Sequence, residues 1–261
     1  MRILLLLAGV TDIRFPLHAL AINEQGLIEE GDNARRILSP FDEAALEIAL
    51  KLRDTRDNVQ VDVLLLGGTN NEALLRTVAA LRPDSVRRLD LQPACLWDAQ
   101  FTARQIADLL AAEATPDLLL IGREFGDLDE GSIAVMLAQR LGYSLFALTQ
   151  HAVWQGDTLC LLRERGTSEE SLRVSGPLLA SVTNDRRNKL RHPLMKNVFE
   201  AKRMTFAAVT AGTGGGTGLP LISLEAERMV ERGGTCQLLE GGIAQQAEAL
   251  AAYLNDQRTQ A

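Results

Sequence analysis

The sequence predicts an α/β protein whose centre is an open, mostly parallel β-sheet with helices on both faces. Short, continuous apolar runs recur through the first half of the chain, and such runs are typical of strands buried on both faces. Segments with apolar residues at helical spacing lie between these runs, which is the order that builds a parallel sheet. The 261 residues, 46% of them hydrophobic, are enough to bury such a core.

The expected elements alternate along the chain. The clearest helix start is Ser39-Pro40-Phe41-Asp42-Glu43, because Ser39 can cap the helix, Pro40 suits its first position and the acidic residues favour its positive end. Residues 10–37 carry few helix signals and are expected to form a long loop with a short hairpin. Strands are expected at 2–8, 61–66, 86–91 and 116–121, and helices at 39–52, 74–81, 98–112 and 134–141.

The pattern changes after residue 143. Residues 145–153 and 158–164 are expected to be strands joined by a hairpin turn at Gln155-Gly156-Asp157. The β character continues through 169–174 and 178–182. We therefore expect an antiparallel addition to the parallel core.

The last part of the chain is expected to be an arm. The run Gly212-Thr213-Gly214-Gly215-Gly216-Thr217-Gly218 lacks the Lys-Ser/Thr that follows a phosphate loop, and its composition is typical of a flexible linker. An amphipathic helix is expected over about 243–256, and a lone helix of this kind needs a surface to dock on. This divides the chain into a core, 1–205, and an arm with a helix, 206–261.

Composition excludes several classes of function. The net charge of −7 argues against a nucleic-acid-binding protein. The three cysteines, Cys95, Cys160 and Cys236, are far apart, so neither a disulfide framework nor a metal cluster is expected, and a reducing cytoplasm fits. The apolar start of the chain is followed at once by polar residues, so it is expected to be a strand. No apolar run is long enough to span a membrane.

The most informative stretch is residues 121–133, where a buried strand, an acidic loop with glycines and a helix follow one another. Ligands of open α/β sheets bind beyond the carboxyl ends of the strands, and the start of a helix presents unpaired N–H groups to a phosphate. The alternative is an ordinary strand-to-helix connection, since most such connections bind nothing.

A second informative stretch is the basic segment 183–203 in this otherwise acidic chain. Its basic residues alternate with Leu190, Leu194, Met195 and Phe199. One interpretation is a solvated loop that leads into a short helix. The mixture of basic and flexible apolar side chains favours a docking surface for a partner.

These residues resemble the β subunit of electron transfer flavoproteins over roughly residues 1–205, with a weaker likeness in the final helix. Several short family motifs occur in the family's order. The matching segments are Ser39-Pro40-Phe41-Asp42-Glu43, Ala73-Leu74-Leu75-Arg76-Thr77-Val78, Asp117-Leu118-Leu119-Leu120-Ile121-Gly122-Arg123-Glu124, Asp127-Leu128-Asp129, Arg163-Glu164 with Glu170, Leu172, Pro177 and Leu179, and Ala201-Lys202-Arg203.

The resemblance implies a Rossmann-type, adenine-nucleotide-hydrolase-like core and an electron-carrier subunit without catalytic residues of its own. Such β subunits form a heterodimer with an α subunit that carries most of the FAD, and they hold AMP or a second FAD themselves. The complex takes electrons from a partner dehydrogenase and passes them to an acceptor. Carried over by position, the nucleotide site is lined by Leu6, Ser39, Pro40, Phe41, Asp42, Val63, Gly122, Arg123, Glu124, Phe125, Gly126, Asp127, Leu128, Asp129, Glu130, Gly131, Ser132 and Ile133.

Physical reasoning adds roles to some of these positions. Gly122 permits a close approach of the backbone to a ligand, and the amides of Gly131, Ser132 and Ile133 can face a phosphate. The carboxylates of Asp127 and Asp129 would repel an anion, so we expect them to cap the helix or to bind ribose hydroxyls.

The resemblance also places the family's partner-recognition loop at about 184–204. The side chain that docks on the dehydrogenase corresponds to Met195, and Leu194 beside it is an equal candidate. The partner-binding set is Leu194, Met195, Lys196 and Phe199. The family's arm reaches the α subunit, and 206–261 suits that role.

The chain departs from the family at Ala8-Gly9, Gly166-Thr167-Ser168 and Ser132-Ile133-Ala134, so the resemblance implies a divergent, bacterial-type member. These departures leave AMP, FAD or an empty site open. A stand-alone adenine-nucleotide sensor of universal-stress type is the main alternative, although it leaves the basic segment unexplained. An adenylating enzyme of the ATP-pyrophosphatase class is a further alternative. That class needs a Ser-Gly-Gly-x-Asp-Ser loop after the first strand, and this chain has Ala8-Gly9-Val10-Thr11-Asp12 there, which argues against it.

Overall fold

The computed structural model describes residues 1–14, 21–24, 28–29, 35–67, 71–91, 96–210, 218–225, 236 and 238–260. These fall into two units, Met1–Leu224 and Glu225–Ala261. Most of the predicted Gly-rich linker lies outside the described residues. Nowhere in the described ranges is a helix both long enough and apolar enough to cross a membrane.

The strands are β1 (Arg2–Leu7), β2 (Val10–Thr11), β3 (Ala21–Ile22), β4 (Ile28–Glu29), β5 (Arg36–Ile37), β6 (Gln60–Leu66), β7 (Ser85–Asp90), β8 (Leu118–Gly122), β9 (Ser144–Thr149), β10 (His151–Gln155), β11 (Thr158–Arg165), β12 (Ser168–Arg173), β13 (Leu178–Val182) and β14 (Ala208–Thr210). The helices are α1 (Pro40–Asp54), α2 (Glu72–Ala79), α3 (Ala99–Ala111), α4 (Ser132–Leu141), α5 (Met195–Ala201) and α6 (Ile243–Gln260). One 3-10 turn, Arg186–Asn188, precedes α5.

The first unit is built on a seven-stranded sheet in the order β14-β7-β6-β1-β8-β13-β9. All six neighbouring pairs are parallel. In the centre, Leu5 of β1 lies opposite Val63 of β6 and Leu120 of β8. The chain runs from β1 to β6 and β7 on one side and returns to β8 on the other, so the strand order reverses between β1 and β8.

Two apolar layers cover this sheet, one on each face. Leu5 and Leu7 of β1 pack in the layer that contains α1 and α2, whereas Leu4 and Leu6 pack in the layer that contains α3 and α4. The alternation follows from the two-residue period of a strand. The predicted α/β fold with a mostly parallel sheet and helices on both faces is thereby confirmed.

The β-rich part of the chain differs in detail from the prediction. The expected strand at 145–153 is two strands, since β9 ends at Thr149 and β10 begins at His151. Strands β9 and β13 join the parallel sheet, so the antiparallel addition consists of β10, β11 and β12 alone. Every residue of β13 is buried, and a short apolar run gives no sign of the direction of its neighbours.

Two small antiparallel ribbons interrupt the predicted long loop. Strand β2 pairs with β5, and β3 pairs with β4. In the second unit, α6 confirms the predicted terminal helix and extends it to Gln260.

Candidate functional site

The candidate site lies at the carboxyl ends of β1 and β8, where the strand order reverses. The start of α1 and the connection from β8 to α4 meet at this edge, and we call residues 123–131 the acidic loop. Ser39 caps α1 as predicted, because its Oγ accepts a hydrogen bond of 3.0 Å from the Asp42 amide, and Pro40 is the first residue of the helix. Open α/β sheets bind ligands at this kind of crevice.

Asp42 fastens the start of α1 to the end of β1. Its side chain is fully buried, and its Oδ2 accepts a hydrogen bond of 3.1 Å from the Gly9 amide. Its Oδ1 has no hydrogen-bond partner. Burial raises the pKa of Asp42 to about 7, although hydrogen bonds from Gly9 and Ser39 act in the opposite direction.

Gly122 brings the end of β8 against this carboxyl group. A Cβ atom at Gly122 would lie 3.0 Å from Asp42 Oδ1, 3.0 Å from the Glu124 carbonyl oxygen and 3.2 Å from Phe41 Cβ. The position therefore requires glycine for close packing, and the space that the glycine leaves is filled by this chain's own atoms.

Asp129 caps α4 from within the acidic loop. Its Oδ1 accepts hydrogen bonds from the amides of Ser132 (2.9 Å) and Ile133 (3.2 Å), and its Oδ2 accepts from the Phe125 amide (3.1 Å). The predicted capping role is confirmed for this residue. Both of these helix amides donate to the Asp129 carboxylate in the structure, and the expectation that the Ser132 and Ile133 amides face a phosphate stays a prediction.

Asp127 joins the acidic loop to the β2–β5 ribbon. It accepts hydrogen bonds from the amide of Thr11 (3.1 Å) and from its hydroxyl (2.7 Å), and it forms an ion pair of 2.6 Å with Arg36. Its carboxylate is thus engaged by the ribbon. Sequence reasoning missed Thr11 and Arg36, because nothing in the pattern of a long polar loop shows which residues fold back onto the sheet.

The other predicted site residues divide into a buried and an exposed group. Leu6, Val63 and Phe125 are fully buried, and Leu6 and Val63 lie in opposite apolar layers. Arg123 pairs with Glu124 at 2.8 Å, and its guanidinium lies 5.1 Å from the centre of the Phe41 ring. The residues of the predicted set that reach solvent at this edge are Pro40, Phe41, Arg123, Glu124, Asp127, Leu128, Glu130, Gly131 and Ser132.

The comparison with known families agrees with the resemblance. The model of the electron transfer flavoprotein domain matches residues 27–212, well over half of the chain. The chain belongs to the electron transfer flavoprotein family.

The relatives compared with the chain are named electron transfer flavoprotein subunit beta. The chain is 28% identical over 179 residues to the electron transfer flavoprotein subunit beta of Bradyrhizobium diazoefficiens, which covers 68% of this chain and 70% of that protein. It is 28% identical over 185 residues to the subunit beta of Homo sapiens, and the match covers 69% of this chain and 71% of the human protein. It is 24% identical over 174 residues to the subunit beta of Dictyostelium discoideum, and the match covers 67% of this chain and 68% of that protein. The predicted membership of the β-subunit family is thereby confirmed.

In this member of the electron transfer flavoprotein family, the predicted partner-binding residues lie together at the start of α5. We call Leu194, Met195, Lys196 and Phe199 the docking tip. The side chains of Leu194, Met195 and Phe199 are 70%, 67% and 58% exposed. Large apolar side chains at this exposure, next to one another, are characteristic of an interaction surface.

The docking tip is carried on a fixed base. Arg191 donates to Glu47 of α1 through its amide (3.1 Å) and through its guanidinium (3.0 Å), and it also pairs with Asp54. This engagement raises the pKa of Arg191 further above its ordinary range. On the other side, Ala201 of α5 packs against α2. The residues on either side of the docking tip, Arg191 and Ala201, are therefore held against α1 and α2, while the docking tip itself is exposed.

Proposed function

We propose that this chain is the β subunit of a heterodimeric electron carrier. Together with an FAD-carrying α subunit, the complex takes electrons from a partner dehydrogenase and passes them to a downstream acceptor. Membership of the electron transfer flavoprotein family is the observation that carries this proposal. The chain acts in it as a carrier subunit that supplies binding surfaces and no catalytic residues of its own.

The crevice between β1 and β8 would hold a nucleotide, AMP or a second FAD. Its position at the reversal of the strand order supports this, as do the half-buried Phe41 and the acidic loop beside it. Phe41 offers an aromatic face of the kind on which a flat base stacks. The buried residues of the predicted set, among them Asp42 and Asp129, would shape this crevice from below.

The docking tip would bind the partner dehydrogenase. Its two adjacent exposed side chains, Leu194 and Met195, are flexible apolar groups that can fill a pocket on another protein. The ion pairs of Arg191 would keep the tip in one place between encounters. Such preorganisation lowers the entropy lost on binding.

The arm would dock on the α subunit. The second unit, Glu225–Ala261, contains α6, and the apolar residues Ile243, Leu250 and Leu254 of this helix are exposed. A surface on another chain would cover these residues.

The nucleotide content of the purified complex tests this proposal. The chain is co-expressed with the adjacent α-like gene, and every released nucleotide is identified by visible spectrum and chromatography. One FAD with one AMP supports a conventional carrier, and two FAD per complex support a bifurcating one. A colourless homodimer that holds only an adenine nucleotide would instead support a stand-alone sensor and contradict the proposal.

A further inference from the structure

Leu148 has a backbone conformation that leucine rarely adopts. Its φ is +60°, and among the non-glycine residues in the described part of the chain only Arg82 shares a positive φ, at +63°. In this left-handed region the Cβ atom of an L-residue crowds the backbone, whereas glycine adopts the conformation without that cost. The backbone at position 148 therefore favours glycine over the leucine that is present.

This conformation belongs to a β-bulge at the end of β9. Phe146 pairs with Ala180 of β13 and Thr149 pairs with Val182, so β9 has two residues where β13 has one. The extra residue of a bulge bends its strand and redirects a side chain. The bulge accounts for the left-handed backbone of Leu148, but it does not account for a leucine at this position.

Contacts from two other strands hold the bulge in place. The Leu148 amide donates a hydrogen bond of 3.0 Å to Oγ of the buried Ser181 on β13. Arg163 of β11 donates to the Ala147 carbonyl oxygen at 2.8 Å, and its guanidinium lies 4.6 Å from the centre of the Phe146 ring. Strained backbone persists where the surrounding contacts determine it, and it is concentrated at functional sites.

Leu148 reaches solvent at the carboxyl edge of the sheet. The residue is 45% exposed, so full burial within the chain does not offset its strained conformation. Thr149 lies opposite Val182, which lies opposite Gly122 at the end of β8. Two strand spacings, about 10 Å, therefore separate the bulge from the candidate nucleotide site.

Other apolar side chains are exposed at the same end of the sheet. Strand β9 is the last strand in the order of the sheet, and α4 packs against it. Val135 and Met136, in the first half of α4, are exposed as well. We call Leu148, Val135 and Met136 the apolar edge. Exposed apolar side chains grouped in this way are characteristic of an interaction surface.

We propose that Leu148 is an anchor residue that fills an apolar pocket on the α subunit. This anchor rests on the proposed heterodimer, and it adds a contact from the core to the one that the arm would make. A companion subunit fits this surface, because the relatives compared with the chain are each named as a subunit of electron transfer flavoprotein.

The docking tip is a separate surface. Its helix, α5, packs against α2, and α2 contacts β7 near the opposite end of the sheet. The apolar edge can therefore be covered by one protein while the docking tip contacts another.

Paired substitutions of Leu148 separate the strain from the contact. L148G and L148A both remove the side chain, but only alanine retains the cost of the left-handed backbone. L148G should therefore unfold at a higher urea concentration than L148A. Both should raise the dissociation constant of the complex with the co-expressed α subunit about tenfold, measured by sedimentation velocity over a dilution series. L148M keeps an apolar side chain of similar volume and should bind nearly as tightly as the native chain.

R82G and R82A are the matched controls, because Arg82 has the same backbone conformation elsewhere in the fold. Its guanidinium pairs with Glu200, so both variants lose the same side-chain contact. R82G should also unfold at a higher urea concentration than R82A. Neither variant should change the dissociation constant, and a loss of affinity in R82A equal to that in L148A would overturn the anchor.

The remaining outcomes distinguish the anchor from the proposed function. If the native chain binds the α subunit and both L148G and L148A bind it as tightly, the anchor is wrong and the heterodimer stands. If the native chain binds no α subunit, the heterodimer is wrong and the anchor with it. A homodimer of the native chain that L148A dissociates would assign the apolar edge to a second copy of this chain and would overturn the anchor on the α subunit.

Discussion

Replacing Asp42 by asparagine should make the chain increasingly stable relative to the native chain as the pH rises. The carboxyl group is fully buried with one unpartnered oxygen, and its pKa rises from 3.8 to about 7 on folding. A folded pKa above the unfolded one means that folding favours the neutral form. The associated stability is complete below pH 3.8 and is lost progressively until the pH passes 7.

The magnitude follows from the same two values. A rise of this size corresponds to about 4 kcal/mol over the whole interval, and about 2 kcal/mol of it is lost between about pH 5.5 and pH 8. Asparagine at position 42 carries no charge at either pH. Its carbonyl oxygen can keep the hydrogen bond from the Gly9 amide. We therefore expect the stability of D42N relative to the native chain to increase by about 2 kcal/mol across this range.

Urea unfolding of both proteins at the two pH values measures the effect, with midpoints compared at equal slopes. D129N is the control, because Asp129 is a buried acid whose oxygens accept hydrogen bonds from three amides. Its replacement should destabilise the chain at both pH values, since an amide nitrogen cannot accept in place of a carboxylate oxygen. A difference between D42N and the native chain that does not change with pH would refute the reasoning.

Three further predictions concern the docking tip, the arm and the packing at the site. L194A and M195A should slow electron transfer from the partner dehydrogenase several-fold in stopped-flow measurements, while the flavin stays bound. M204A is the control, because Met204 is also exposed but lies outside the docking tip. Loss of the flavin in L194A or M195A would instead show that the docking tip has a structural role. Deletion of 243–261 should weaken association with the α subunit, and unchanged co-purification would contradict the docking role. G122A should lower the free energy of unfolding by about 1–3 kcal/mol, because its Cβ would lie 3.0 Å from the Glu124 carbonyl oxygen, and an unchanged urea midpoint would show that the loop yields instead.

The sequence predicts those parts of the fold that are determined locally. Strands β1 and β8 are apolar apart from Arg2, β6 is apolar apart from Gln60 and Asp62, and the start of α1 carries a cap, a proline and acidic residues in order. These features depend on interactions within a few residues of the chain, so they can be predicted from the sequence without knowledge of the fold. The parallel pairing of β9 and β13 cannot be predicted in this way, since it depends on which strand lies beside them.

The same distinction applies to the candidate site. The acidic loop and the capping role of Asp129 are predictable, because a carboxylate just before a helix caps it through neighbouring amides. The partners of Asp127 are not, since Thr11 and Arg36 lie 116 and 91 residues away along the chain. The burial of Asp42 was equally hidden, because an acidic residue in the first turn of a helix is ordinarily solvated.

These long-range contacts change how the acidity of the site is understood. From the sequence, the carboxylates between 123 and 131 would make the crevice repel an anionic ligand. In the folded chain, Asp129 accepts hydrogen bonds from three amides and Asp127 pairs with Arg36, while burial raises the pKa of Asp42 to about 7. Each of the three acids thus serves to fasten one element to another.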